Sequence, residues 1–190
     1  MFNEAAFCVR ILENDEKRVV DLRTTRHQST REIVVLAMLI ALTVAIARIL
    51  IIPVSFTHGN INFCDTGIFI AALVLGRRQG LYVGALSGFL LDLISGYAQY
   101  MIFSLIVHGL EGYVAGWLGH DKGHAQKVVA LVVAAVVMVV GYFVTDTLLY
   151  GAAAGIAGIA TNAIQGAVTM IAAVVIALPL ENRLPHVLGE

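Results

Sequence analysis

Charge is scarce in this sequence: Asp, Glu, Lys and Arg make up 13% of 190 residues, and the formal net charge is −1. With no basic excess there is no electrostatic footprint for nucleic acid. With 59% hydrophobic residues there is also too little polar surface to cover a water-soluble domain of this length. Several catalytic motifs are missing. No Gly-x-x-x-x-Gly-Lys-Ser/Thr loop is present to cradle the phosphates of ATP. Neither a Gly-x-Ser-x-Gly elbow nor a His-Glu-x-x-His pair occurs. Inverted repeats with broken helices, the signature of a self-sufficient carrier, are absent too. Residues 1–31 mix Glu, Asp, Lys and Arg without a compact apolar core. They read as a cytoplasmic tail and not as a secretory leader.

What the chain has is apolar length. Residues 33–52 are apolar except for Thr43 and Arg48, and residues 128–145 are apolar apart from Tyr142 and Thr145. About 20 residues of helix cross the hydrocarbon core of a bilayer, so the chain reads as an all-α integral membrane protein. Its scarce positive charge is clustered. Eleven of the twelve Lys and Arg residues fall in residues 10–31, at Arg77–Arg78, in residues 122–127 and at Arg183, while Arg48 stands apart. If these four stretches share one membrane face they bracket three helical hairpins. The chain then crosses six times with both termini inside, as the positive-inside bias requires.

The expected spans are 31–52 (closed by Pro53), 65–76, 80–95, 100–118, 127–150 and 159–180. Outer loops fall at 54–63, 96–99 and 151–158. Residues 31–180 form one six-helix membrane domain between cytoplasmic tails at 1–30 and 181–190. Cys8 in the inner tail and Cys64 near the outer surface are then separated by the bilayer and cannot pair.

Small residues recur at four-residue spacing. Gly76, Gly80, Gly84 and Gly88 make one line, Gly112 and Gly116 a second, and Ala37, Ala41 and Ala45 a third. Such lines let helix backbones approach closely. For the glycines this means packing inside the bundle. The alanine line, on a first helix at the bundle edge, serves either packing or another membrane protein.

Four acids lie within the apolar spans, where an ionisable group normally faces a cavity, a partner or a pathway. Asp65 opens the second helix and suits a cap, accepting free N–H groups at the positive dipole end. Asp92 lies about a turn from the outer end of the third helix, and Asp146 sits four residues before Tyr150 on the fifth. Glu111 follows His108 by three residues, on the same face of the fourth helix. Asn62, in the outer loop, and the Asn162 and Gln165 pair on the sixth helix join them. Tyr97, Tyr100 and Tyr150 crowd the same level. Each tyrosine alone fits an interfacial belt, and the amides fit interhelical hydrogen bonding.

Together these groups describe a pocket open to the outside. It suits a small, flat, polar heterocycle held between aromatic rings and bonded at its edge by amides and carboxylates. Arg48 either snorkels to the outer headgroups or pairs with Asp65 or Asp92. His120, Asp121 and His124 read as a solvated loop, and no metal site is expected. An intramembrane enzyme using His108 and Glu111 as an acid–base pair is the main alternative; Ser104 is its only local nucleophile.

The stretch from Gly59 to Gly119 resembles the substrate-binding S components of energy-coupling factor (ECF) vitamin transporters. The matching elements are Asn62-x-x-Asp65 at the opening of the second helix, the Gly76-x-x-x-Gly80 turn around Arg77–Arg78, the Gly84-x-x-x-Gly88 third helix ending in Asp92, and His108-Gly-x-x-Gly112. Ala37-x-x-x-Ala41 resembles the alanine motif with which these proteins dock on their membrane partner. The pattern is similar to hydroxymethylpyrimidine- or pyridoxine-type members of the riboflavin-transporter-like family, with riboflavin or thiamine as further options. The resemblance implies a high-affinity binding subunit without catalytic residues or a cofactor of its own. It implies a complex with a transmembrane coupling (T) protein and two cytoplasmic ATPases that consume the ATP, in a bacterial cell membrane. It places Glu111 where a thiamine-binding relative has a ligand-contacting Glu, and makes Asn162 the counterpart of a binding Asn.

Overall fold

The structure, a computed structural model, describes residues 30–54 and 59–181, the last without its side chain. The expected tails, with Cys8 and Arg183, lie outside these residues apart from Thr30 and Glu181. Among the described residues the fold is all-helical: α1 (Thr30–Ile49), α2 (Cys64–Leu75), α3 (Arg77–Ser95), α4 (Met101–Gly119), α5 (His124–Tyr150) and α6 (Ala152–Glu181). Between α1 and α2 the chain makes a two-residue antiparallel pair, β1 (Ile52–Pro53) with β2 (Asn60–Ile61), Ile52 opposite Ile61. Contacts divide the chain into Met1–Val35 and Leu36–Glu190. Of the first unit only the opening turns of α1 are described.

Helices α1, α4, α5 and α6 are long and apolar enough to cross a membrane. Helix α2 is apolar but has 12 residues, about 18 Å at 1.5 Å each. Helix α3 is long but carries Arg77, Arg78 and Asp92. The second unit is apolar outside and buries a cluster of polar and ionisable side chains. Met38, Val129, Leu148 and Ile171 lie open on its surface, while Asp65, His108, Glu111 and Gln165 are buried. That inversion is stable only where the surroundings are themselves apolar, so the fold is that of a multi-pass membrane protein.

An apolar core joins Phe69 and Leu73 of α2 to Ala115 of α4, Leu131 and Ala134 of α5, and Ala173 of α6. Leu36, Ile40 and Val44 of α1 pack on Ala71 and Val83. Helices α3 and α4 touch backbone to backbone: a Cβ at Gly84 would fall on the His108 carbonyl oxygen. This is the close approach that the glycine spacing predicts.

Several boundaries differ from the sequence expectation. The first helix ends at Ile49, three residues before Ile52. The third begins at Arg77, because Gly76 alone makes the break with φ 95°. The sixth begins at Ala152, so the expected outer turn 151–158 shrinks to Gly151, whose φ is 92°. Its N–H closes α5 on the Thr147 carbonyl at 3.0 Å. The alanines that follow are the strongest helix formers and restart the helix at once.

Candidate functional site

The start of α2, the end of α3, the start of α4, the end of α5 and the first turns of α6 converge at one end of the bundle. They line a cavity whose empty space, open solvent at its mouth included, is about 550 Å³. Among the described residues no Lys or Arg lines it. Its wall is rich in hydrogen-bond acceptors and in tyrosine, a surface that favours neutral or cationic ligands with N–H or O–H donors.

Two polar assemblies shape the wall. In the first, the Gln165 amide is a strut between distant segments. Its Oε1 accepts the Asn62 N–H at 2.9 Å, and its Nε2 donates to Asp65 Oδ2 at 2.9 Å. Asn62 in turn accepts the Cys64 N–H on Oδ1 at 2.8 Å and donates from Nδ2 to Asn60 Oδ1 at 2.8 Å. The side chain that serves the opening of α2 is therefore Asn62. Asp65 does not cap: the N-cap residue is Phe63, and the fully buried Asp65 carboxylate points into the bundle toward Gln165 and Thr169.

In the second assembly a chain of hydrogen bonds runs through α4. His108 Nδ1 lies 2.8 Å from Glu111 Oε2 and 3.5 Å from Asp65 Oδ1. Its Nε2 is 2.9 Å from the Tyr142 hydroxyl, which is 2.7 Å from Ser104 Oγ. Ser104 donates to Asp92 Oδ2. Each hydroxyl and the imidazole can serve as donor or acceptor along this chain. Beside this chain, the Tyr100 hydroxyl donates to Asp146 Oδ1 at 2.7 Å.

The cavity is lined by Asn62, Asp92, Tyr97, Tyr100, His108, Asp146, Asn162 and Gln165. Tyr150 is not in the lining; it packs on Tyr100 with ring centroids 6.1 Å apart. Glu111 is fully buried behind His108 and reaches the cavity only through it. Among the amides, Asn162 makes no hydrogen bond to any described residue, while Gln165 is committed at both ends. Sequence reasoning missed Tyr142, Asn60 and Thr161, which also line the cavity. Tyr142 had one usable signal, its place one turn before Asp146 on the same helix face.

Outside the cavity, Arg48 is exposed and makes no ion pair with any described residue. His120 donates from Nδ1 to the Leu73 carbonyl at 2.8 Å, pinning the α4–α5 loop to the end of α2. Ala37, Ala41 and Ala45 all lie on the exposed side of α1.

A profile of the family described as ECF-type riboflavin transporter, S component, matches residues 27–182, the whole of the six-helix region. The chain belongs to that family. The S component is also similar to a protein of Lactococcus lactis subsp. cremoris named thiamine precursor transporter HmpT, with 35% identity over 158 residues, 83% of this chain and 91% of that one. A Pyrococcus woesei protein, named only as an uncharacterised protein in the gap 3' region, is 30% identical over 115 residues, 60% of this chain and 77% of its own. Both the family and the Lactococcus relative carry the names of transport proteins, which agrees with a multi-pass bundle holding a polar cavity at one end.

Proposed function

We propose that this S component is the high-affinity substrate-binding subunit of an ATP-driven ECF importer for a small aromatic vitamin or precursor, hydroxymethylpyrimidine or pyridoxine before riboflavin or thiamine. In this reading the chain crosses a bacterial cell membrane six times with both termini cytoplasmic. It binds its ligand from outside and works with a T protein and two ATPases that supply the energy. It is a binding subunit and not an enzyme.

The observation that carries the reading is the cavity itself. Carboxylates of Asp92 and Asp146, the amide of Asn162, which bonds no described residue, and the tyrosine rings all face one cavity. The acceptors suit an amino- or hydroxyl-bearing ring, and a lining without Lys or Arg among the described residues disfavours a phosphorylated one. The similarity to a protein named as a thiamine precursor transporter supports the same ligand class.

Mass spectrometry of small molecules released from the detergent-purified chain, followed by calorimetry with a vitamin panel, tests this. A tightly bound pyrimidine or pyridine supports the reading. An empty protein that binds none of the panel overturns it, and turnover by the isolated chain would make it an enzyme.

A further inference from the structure

Behind the cavity wall, the polar atoms of three buried residues from α2 and α4 converge. His108 Nδ1 lies 2.8 Å from Glu111 Oε2 and 3.5 Å from Asp65 Oδ1, a place that either a proton on Nδ1 or a metal ion can fill. Asp65 Oδ1 has no hydrogen-bond partner among the described residues, and neither does Glu111 Oε1, although both residues are 0% exposed. Buried acceptors left so are costly, and two carboxylates facing a single imidazole inside a membrane bundle leave negative charge to be compensated.

We propose that Asp65, His108 and Glu111 form a binding site for one divalent cation of the zinc class. Ligand atoms from the three residues lie within 4.8 Å of one another. Donors about 2.1 Å from a metal stand roughly 3.0–3.4 Å apart in tetrahedral or octahedral sets, close to the separations around Nδ1. A divalent ion with two carboxylates and one neutral imidazole sums to zero charge, the state a low-dielectric interior favours.

The surroundings are those of a metal ligand set as well. The His108 ring is held by its second nitrogen on Tyr142, and the far oxygen of Asp65 is held by Gln165 at 2.9 Å and Thr169 at 3.3 Å. One nitrogen and two carboxylates suit zinc or a similar borderline ion, not calcium, which takes six to eight oxygens. The ion would tie α2 to α4 under the cavity and fix the His108 ring that lines it. The site stands apart from the ligand reading, because its occupancy is measured with no vitamin present.

The test uses the full chain without an affinity tag, purified in detergent and stripped by a chelator, with zinc chloride titrated by calorimetry. One ion per chain is expected. Glu111→Gln and Asp65→Asn should each weaken binding by on the order of tenfold to a hundredfold. A chain with the other five histidines (His27, His58, His120, His124 and His186) changed to Ala should bind as before. Absence of saturable binding by the wild type would mean that a proton alone occupies the cluster and would overturn the proposal. Binding lost in the five-histidine variant would overturn it as well, by placing the ion on loop histidines. If the acid variants fail to fold, X-ray absorption of the zinc-loaded wild type decides. A shell of oxygens with one imidazole is expected; two or more imidazoles, or sulfur, would refute the assignment.

Discussion

Tyr100 and Asp146 meet in the cavity wall, the phenol donating to the carboxylate at 2.7 Å and joining the start of α4 to the end of α5. Tyr100 is 4% exposed, and its ring also packs on Tyr97, Tyr142 and Tyr150. Tyr100→Phe keeps the ring contacts and removes the hydroxyl, with its hydrogen bonds to Asp146 and Tyr150. A bond to a charged group contributes about 1.5–3 kcal/mol, so unfolding of the variant in detergent should move to lower temperature or denaturant by that amount. An unchanged midpoint would mean that the bond does not tie the two helices.

Gln165 works between Asn62 and Asp65 as an amide must, with one acceptor and one donor. Gln165→Glu would set a carboxylate against Asp65 and should cost stability through like-charge contact in a buried site, roughly 3–5 kcal/mol. Combining it with Asp65→Asn restores a donor opposite an acceptor, so the double variant should recover most of the loss. A double-mutant cycle of unfolding midpoints measures this coupling. Additive losses would show that the strut is not the interaction that matters.

Asn162 is the contrasting amide. It faces the cavity and has no hydrogen bond to a described residue, so its donor and acceptor are at the ligand's disposal. Asn162→Ala should weaken vitamin binding by roughly fivefold to tenfold, about one neutral hydrogen bond, while the unfolding midpoint stays within error. Normal affinity in this variant would move the ligand away from α6.

Gly84 tests the α3–α4 contact. A methyl group there would meet the His108 carbonyl, in backbone that cannot give way cheaply. Gly84→Ala should destabilise the chain by about 1–3 kcal/mol and disturb the His108 ring that lines the cavity. Gly123→Ala is the control, since a methyl at Gly123 meets nothing within 4 Å. Equal midpoints for the two variants would show that the helices are not in the close contact described.

These sites explain what the sequence disclosed and what it withheld. The helices were legible because apolar length and flanking charge are local signals, and the α3–α4 contact was legible because glycine spacing is periodic. The role of Asp65 was not. At the opening of a helix an acid reads as a cap, while its partners Gln165 and Thr169 lie 100 and 104 residues away. Tyr142 was passed over because the mark of which side it faces, Asp146 one turn later, lies outside the apolar run that drew the reading. The start of α6 was misplaced for a related reason. Gly151, Gly155 and Gly158 look alike in the sequence, yet only Gly151 has a positive φ. Gly155 and Gly158 are helical, and a methyl at either would strike Thr147 or Asp146. Their smallness serves packing and not a turn.

The exposed alanines of α1 carry the last prediction, which rests on the proposed importer. Ala37, Ala41 and Ala45 lie on the exposed side of the helix, clear of the cavity, while its buried side is Leu36, Ile40, Thr43, Val44 and Ala47. A small-residue face of this kind admits a partner helix at close range. Ala41→Trp adds bulk there without touching the ligand wall. Vitamin uptake by cells carrying the whole transporter should fall to background, while the purified variant binds vitamin with unchanged affinity. If uptake persists at the wild-type rate, the T protein docks on another face. If binding falls together with uptake, the substitution has disturbed the bundle, and Ala37→Trp, one turn nearer the start of α1, becomes the cleaner probe of the same surface.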